Sequence, residues 1–239
     1  MSGHSKWSTI KRQKEANDQA RGKVFSKLAK LITIAVKTGG GENPDTNSKL
    51  RMAIEVAKTE NMPKANIERA ISKGTSSSES LEEIEYEGFG PFGVGLIIET
   101  ATDNKNRTAQ EMKGILERGG GTLAGPGAVS FNFEHRGELV IKKSAEADEQ
   151  MLALIDLGVE DIEEDEGEFI IYTSPDSTHS IKEKLEKAGY GVVSARLVKK
   201  PKSTVELDEA KSEKLIGLLE KLQDNDDVQN VYTSADFKQ

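Results

Sequence analysis

The chain has 239 residues, 31% charged and 35% apolar, a balance that fits two or three small domains with wet surfaces better than one large core. It contains no cysteine, which excludes disulfides, zinc ribbons, iron–sulfur ligation and thiol nucleophiles together. Net charge is −8, from 33 basic and 41 acidic residues, but the average hides a split. Residues 1–74 carry 15 Lys/Arg against 7 Asp/Glu, and residues 75–239 carry 18 against 34. A cationic module joined to an anionic body concentrates polyanions at its own end, and nucleic acid is the polyanion this suggests.

In chain order, Lys11 to Gln19 is almost wholly polar and reads as a solvated helix or an arm that orders on a partner. Val24, Leu28, Leu31, Ile32 and Ala35 then recur at helical spacing from Gly22 to about Thr38, and Gly39-Gly40-Gly41 ends that helix. A second helix follows Pro44-Asp45-Thr46-Asn47 and buries Leu50, Ala53, Ile54 and Ala57; a third starts at Pro63 and stops at Gly74. These predict a small three-helix bundle. The polar stretch TSSSES at 75–80 is a linker.

Strand patterns follow: Ile84 and Tyr86, a turn at Gly90-Pro91-Phe92-Gly93, and the apolar run Val94–Ile98. A helix is predicted over 107–118 and a strand over 128–133. From Glu138 the order strand, helix, strand, strand, helix, strand to residue 198 spells one split-βαβ unit. The flanking segments, including a short strand near 203–207, helix 208–222 and strand 228–233, make a second. The expected fold class is therefore α+β multidomain. It comprises an N-terminal three-helix bundle over 1–74 and two ferredoxin-like α/β domains, one (136–201) inserted in the other (81–135 plus 202–239); a linear arrangement is the alternative.

Most catalytic readings fail on spacing. Gly88–Gly93 has the letters of G-x-G-x-x-G, but a strand follows where a dinucleotide site needs a helix N-terminus, so a hairpin turn explains it better. The run Glu160–Glu168 has seven acids in nine positions without the ligand alternation of a calcium loop, and reads as a solvated hairpin. His4, His135 and His179 fall in three different predicted domains, which leaves no metal site. No nucleophile-elbow or Walker motif occurs, so neither an enzyme nor a cofactor is expected. The longest run of apolar and glycine residues, Gly93–Ile98, is far below the roughly 20 residues of a membrane span. Without an apolar signal core, the expected location is the cytoplasm.

Nucleic-acid contact survives. Lys6, Lys11, Arg12, Lys14, Arg21, Lys23, Lys27 and Lys30 offer repeated cations around one aromatic, Trp7. Lysine and arginine neutralise phosphates, and an indole stacks on an unpaired base; the alternative is that Trp7 staples the first helix to the bundle. Residues 102–108, TDNKNRT, combine a helix cap with cations, so Asn104, Lys105, Asn106 and Arg107 form a secondary candidate anion contact beside their capping role.

The segments GHSKW at 3–7, RGKVFSKL at 21–28, LRMAIEVAK at 50–58, NMPKANIERAISKG at 61–74, YEGFGPFGVGLIIE at 86–99, TDNKNRT at 102–108 and DVQNVY at 227–232 resemble the YebC/PmpR family, which includes the mitochondrial translational activator of cytochrome oxidase subunit I. The resemblance implies three domains, one inserted in another, and no catalytic activity. It also implies one of two roles: transcriptional regulation by DNA binding, or ribosome-associated relief of difficult elongation such as consecutive prolines. By resemblance, Gly3, His4, Ser5, Lys6 and Trp7, with the basic helix through Arg21 and Lys23, are the nucleic-acid contact. The absence of a visible recognition helix or zipper favours rRNA or tRNA at the ribosome over DNA, and a monomer over a dimer. A protein-interaction scaffold is the third class of reading.

Overall fold

The computed structural model describes Trp7 and residues 18–76, 81–165 and 167–237, with residues 18–21 described by main chain alone. The chain is α+β: an N-terminal helical region followed by antiparallel sheets. Helices α1 (Asp18–Thr38), α2 (Ser48–Thr59) and α3 (Lys64–Ser76) bury one apolar stripe each, with Leu28, Ile32, Leu50, Ala53, Ile67 and Ala70 at their common centre. The α1–α2 corner is held by Asn47, which is fully buried. Its Oδ1 accepts from Leu50 N at 3.0 Å as the α2 cap. Its Nδ2 donates to the carbonyls of Ala35 (2.8 Å) and Gly41 (2.7 Å). Gly39 is required there, because a Cβ would lie 2.1 Å from Asn47 Oδ1.

Strands β1 (Glu82–Phe89), β2 (Gly95–Thr102), β3 (Thr122–Ala124) and β9 (Val228–Thr233) form one sheet in the order β3-β1-β2-β9. Helices α4 (Lys105–Arg118) and α7 (Glu209–Gln223) cover one of its faces, burying Leu96, Ile98, Met112, Leu116, Leu215 and Leu219. Strands β4 (Phe133–Lys142), β5 (Asp161–Asp165), β6 (Glu168–Thr173) and β7 (Val192–Pro201) form the other sheet, order β5-β6-β4-β7, with α5 (Ala147–Asp156) and α6 (Thr178–Lys187) on its outer face. Both sheets are antiparallel throughout. Their inner faces meet through Ile97 and Tyr232 from the first and Val140, Ile170, Tyr172 and Val198 from the second. The alternation of side chains along each strand thus feeds two cores, giving layers of helices, sheet, sheet and helices.

Polar groups cross this inner seam with partners. Lys199 of β7 bonds Glu85 and lies 3.3 Å from Glu99 Oε1. Glu99 Oε2 accepts from Tyr232 Oη at 3.1 Å and Asn230 Nδ2 at 3.0 Å. Burial, reinforced by the Glu99 carboxylate, pushes the Tyr232 phenol well above its ordinary range.

Two sequence expectations fail locally. The strand expected over 128–133 is absent; residues Ser130–Asn132 form a 3₁₀ turn and β4 starts only at Phe133. The cause is Glu87 of β1, whose carboxylate accepts the main-chain N–H groups of Gly127 (2.7 Å), Val129 (2.6 Å) and Ser130 (2.9 Å), bonds that a ladder would otherwise use. Burial alone would raise the Glu87 pKa, but those three donors hold it below its usual value. The short strand near 203–207 exists as β8 (Val205–Leu207), but it pairs in parallel with β10 (Ala235–Phe237), outside both four-stranded sheets. The fourth strand of the first sheet is instead β1, which closes onto β2 by a tight hairpin from Phe89↔Gly95 to Glu82↔Thr102.

Candidate nucleic-acid interface

Among the cations and polar groups expected to contact nucleic acid, Gly3, His4, Ser5, Lys6, Lys11, Arg12 and Lys14 lie outside the described residues, as does the Arg21 side chain. Trp7 is described, and it is only 3% exposed. The indole joins the core between the first sheet and its helices, beside residues such as Val94, Val228 and Val231, and its Nε1 donates to Val231 O at 3.2 Å. In this arrangement the ring offers no face to a base, which corrects the stacking expectation. Nor does it staple α1 to the bundle; its contacts are with the first sheet's core and the edge strand β9. The missed signal was its isolation: a lone large aromatic in a polar arm has no apolar partner nearby in sequence, so its burial had to come from afar.

The basic face of α1 also has an intramolecular partner. Lys23 Nζ donates to Asp224 O at 3.4 Å, Lys27 Nζ to Gln223 O, and Lys30 Nζ to Asp226 O at 3.0 Å. These carbonyls belong to the last residue of α7 and the turn after it, where the helix dipole is negative. Lys30 also meets Asp227 Oδ1 at 2.8 Å. The cations are spaced to meet an anion, and in this structure that role falls to the chain's own helix end.

Asp227 is the node of the contact. Its Oδ2 accepts from Arg107 Nη2 at 2.8 Å, Thr108 Oγ1 at 2.8 Å and Thr102 Oγ1 at 3.2 Å, while its Oδ1 faces Lys30. Its side chain is only 7% exposed, and burial by itself would raise its pKa. Donation from Lys30, Arg107 and Thr108 prevails and holds it down at about 2. Arg107 in turn is held above its ordinary value by hydrogen bonds to Asp227 and Asp103, the latter at 2.9 Å. Asn104 caps α4 by accepting from Arg107 N at 3.1 Å, as the TDNKNRT pattern predicts. The secondary anion contact at this helix N-terminus is therefore occupied at Arg107 by an intramolecular carboxylate, whereas Lys105 and Asn106 are exposed beside it. Sequence reasoning found Arg107 but not its partner, which lies 120 residues away.

Exposed cations of the bundle include Lys58, Lys64, Arg69 and Lys73 on α2 and α3, and Lys37 at the end of α1. Among the described residues no group of three or more His, Cys, Asp and Glu could hold a metal ion, and no helix is long and apolar enough to cross a membrane. In the hairpin of β5 and β6, Asp161 and Glu164 are exposed, Glu163 and Glu168 half-buried and Asp165 buried, with Lys200 Nζ 2.7 Å from Asp161 Oδ2 and 2.9 Å from Glu163 Oε1. Hydrogen bonding from Lys200 holds Asp161 below its usual range.

The described residues thus form a basic helical module packed against a layered pair of antiparallel sheets. Family models agree with that architecture: the TACO1/YebC protein N-terminal domain matches residues 5–77, and the TACO1/YebC second and third domain matches residues 81–235. The chain belongs to the TACO1/YebC family. It is 47% identical over 242 residues to a "probable transcriptional regulatory protein" of Caldanaerobacter subterraneus subsp. tengcongensis, covering 100% of this chain and 99% of the relative. A similarly named protein of Syntrophus aciditrophicus is 47% identical over 241 residues, covering 99% and 96%. The crystal structure of a conserved hypothetical protein from Aquifex aeolicus superposes with a TM-score of 0.84 at 41% identity, covering 93% of each chain.

Proposed function

We propose that this protein is a nucleic-acid-binding regulator of gene expression acting at the ribosome, where its basic N-terminal region contacts rRNA or tRNA and eases stalled elongation. The observation that carries the reading is the charge split, 15 basic against 7 acidic residues over 1–74 and the reverse excess beyond. In this reading residues 1–74 are the binding module, and the units 81–135 plus 202–239 and 136–201 are an acidic body that stays off the RNA. Because Lys23, Lys27 and Lys30 are held by the α7 end, first contact falls to Lys6, Lys11, Arg12 and Lys14 in the arm, with the exposed lysines of α2 and α3 in support. The protein works without a cofactor, in the cytoplasm, and as a monomer.

A second reading, DNA-binding transcriptional regulation, is favoured by the names of the relatives, probable transcriptional regulatory proteins. The two separate in one experiment: ribosome co-sedimentation of wild type and a Lys6/Lys11/Arg12/Lys14→Ala variant across a salt series, with a duplex DNA titration alongside. Ribosome association that the variant loses, at salt where duplex DNA no longer binds, supports translation. Failure to co-sediment together with tight, sequence-dependent DNA binding supports transcription. Undiminished ribosome binding by the variant removes the arm from the interface.

A further inference from the structure

The turn joining β1 to β2 contains a side chain that the turn does not need. Phe92 has φ +67° and ψ 17°, in the left-handed region that an L-residue with a large side chain adopts only at a steric cost. Glycine would make the same turn without that cost, and the next residue, Gly93, does so at φ +76°. The ring gains little in return from packing: it is 43% exposed and joins none of the four apolar clusters of the described residues. Retained strain at an exposed position, where a residue breaks a local rule without a structural gain, points to use.

The surroundings say what use. Two ammonium groups on successive turns of α7 flank the ring, Lys214 Nζ at 5.6 Å and Lys211 Nζ at 5.9 Å from its centroid. Lys211 also pairs with Asp208 at 2.8 Å, so Lys214 is the cation better placed for a ligand. Next to it runs the glycine loop 119–121. Its main chain lies so close to the turn that a Cβ on Gly121 would fall 2.4 Å from Phe89 O, and Lys214 Nζ sits 3.6 Å from where a Gly120 Cβ would be. The result is a partly exposed ring with two lysine ammoniums over it and bare backbone along one side. A stacking surface beside a point cation matches an unpaired nucleobase with its adjoining phosphate. A duplex presents its bases only at the edge, so it offers this ring nothing to stack on.

We propose that Phe92, with Lys214 as the main phosphate partner and Lys211 in support, is a stacking site for an unpaired base of single-stranded RNA, a second contact separate from the N-terminal basic region. The inference rests on the nucleic-acid reading above but adds a site and a strand preference to it. Its test uses the full chain and a fluorescein-labelled single-stranded oligoribonucleotide, compared with the same sequence annealed to its complement. Phe92→Gly relieves the turn, so its melting temperature should stay level or rise, while affinity for the single strand falls roughly tenfold and duplex affinity is unchanged. Phe92→Trp should keep the affinity and show indole quenching on titration, against a constant background from buried Trp7. Lys214→Ala should weaken single-strand binding and reduce its salt slope.

Equal single-strand affinity of wild type and Phe92→Gly overturns the site, as does a loss that is the same for single strand and duplex. If binding is lost in the Lys6/Lys11/Arg12/Lys14→Ala variant yet unaffected in Phe92→Gly, the nucleic-acid reading stands and this inference alone falls. If wild type binds neither probe, both fall.

Discussion

The two sheets are each four-stranded and antiparallel but differ in strand order, in how the chain builds them and in what lies on their outer helices. The second sheet, β5-β6-β4-β7, is made from one continuous stretch, Phe133 to Pro201. The first takes three strands from residues 82–124 and its last from 228–233, so it closes only when both ends of the stretch between them return. The first sheet's helical layer also receives the N-terminal module, through Trp7 in its core and Lys23, Lys27 and Lys30 on its α7 end. The second sheet's outer helix α5 leaves Leu152 (66%) and Ile155 (55%) exposed. One unit is an assembly point built from distant segments; the other comes from one continuous stretch, although its inner face shares a core with the first.

That difference is most easily broken at Trp7. Trp7→Ala removes a buried indole from the first sheet's core and its bond to Val231, and should destabilise the protein by about 3–5 kcal/mol in urea unfolding followed by circular dichroism. A cost below about 1 kcal/mol, the range of ordinary surface substitutions, would mean that the N-terminal segment is not anchored there. Asp227→Asn comes next. It keeps the shape but leaves Lys30 and Arg107 without a buried counter-charge, for an expected loss of about 2–4 kcal/mol.

The same residue predicts a pH dependence. Its folded pKa, about 2, lies below the ordinary 3.8, so its contribution is complete above pH 3.8 and is lost as pH falls toward 2. In that window the wild type should lose on the order of 2 kcal/mol that Asp227→Asn does not lose. Parallel stability curves for the two proteins below pH 4 would show that Asp227 has no special partner in solution.

What the sequence made legible follows the same division. The continuous unit could be read in order, because each strand and helix carries its own period and its partners are near in sequence. The hairpin-forming turn at Gly90–Gly93 and the Asn104 cap were legible for the same local reason. The first sheet was not fully legible: β8 has only three residues, and nothing in its own pattern shows that it pairs with β10 rather than joining the four-stranded sheet. The cations of α1 were legible as seekers of an anion, but nothing in a linear sequence reveals that residues 223–227 supply one. Trp7 and Glu87 failed for one reason: each satisfies its chemistry with a partner far along the chain, 224 residues away for the indole and about 40 for the carboxylate.

Two smaller effects sharpen the contrast. Lys30→Met keeps most of the apolar stem of a side chain that is 25% exposed but removes its bonds to Asp226 and Asp227, and should cost about 1–2 kcal/mol while leaving α1 folded. It loosens the module from the first sheet without touching the arm cations. Single-strand RNA affinity that rises in this variant would show that the α7 end competes with nucleic acid for Lys23 and Lys27.

Leu152→Ser on the outer face of α5 should change stability by less than about 0.5 kcal/mol, because the side chain already meets water in the folded chain. This null effect is as diagnostic as the large ones, since it holds only if nothing covers the outer face of that helix. A cost that grows with protein concentration would reveal a second copy packed against Leu152 and Ile155. The two sheets would then differ in which partner completes them, not in whether one is needed.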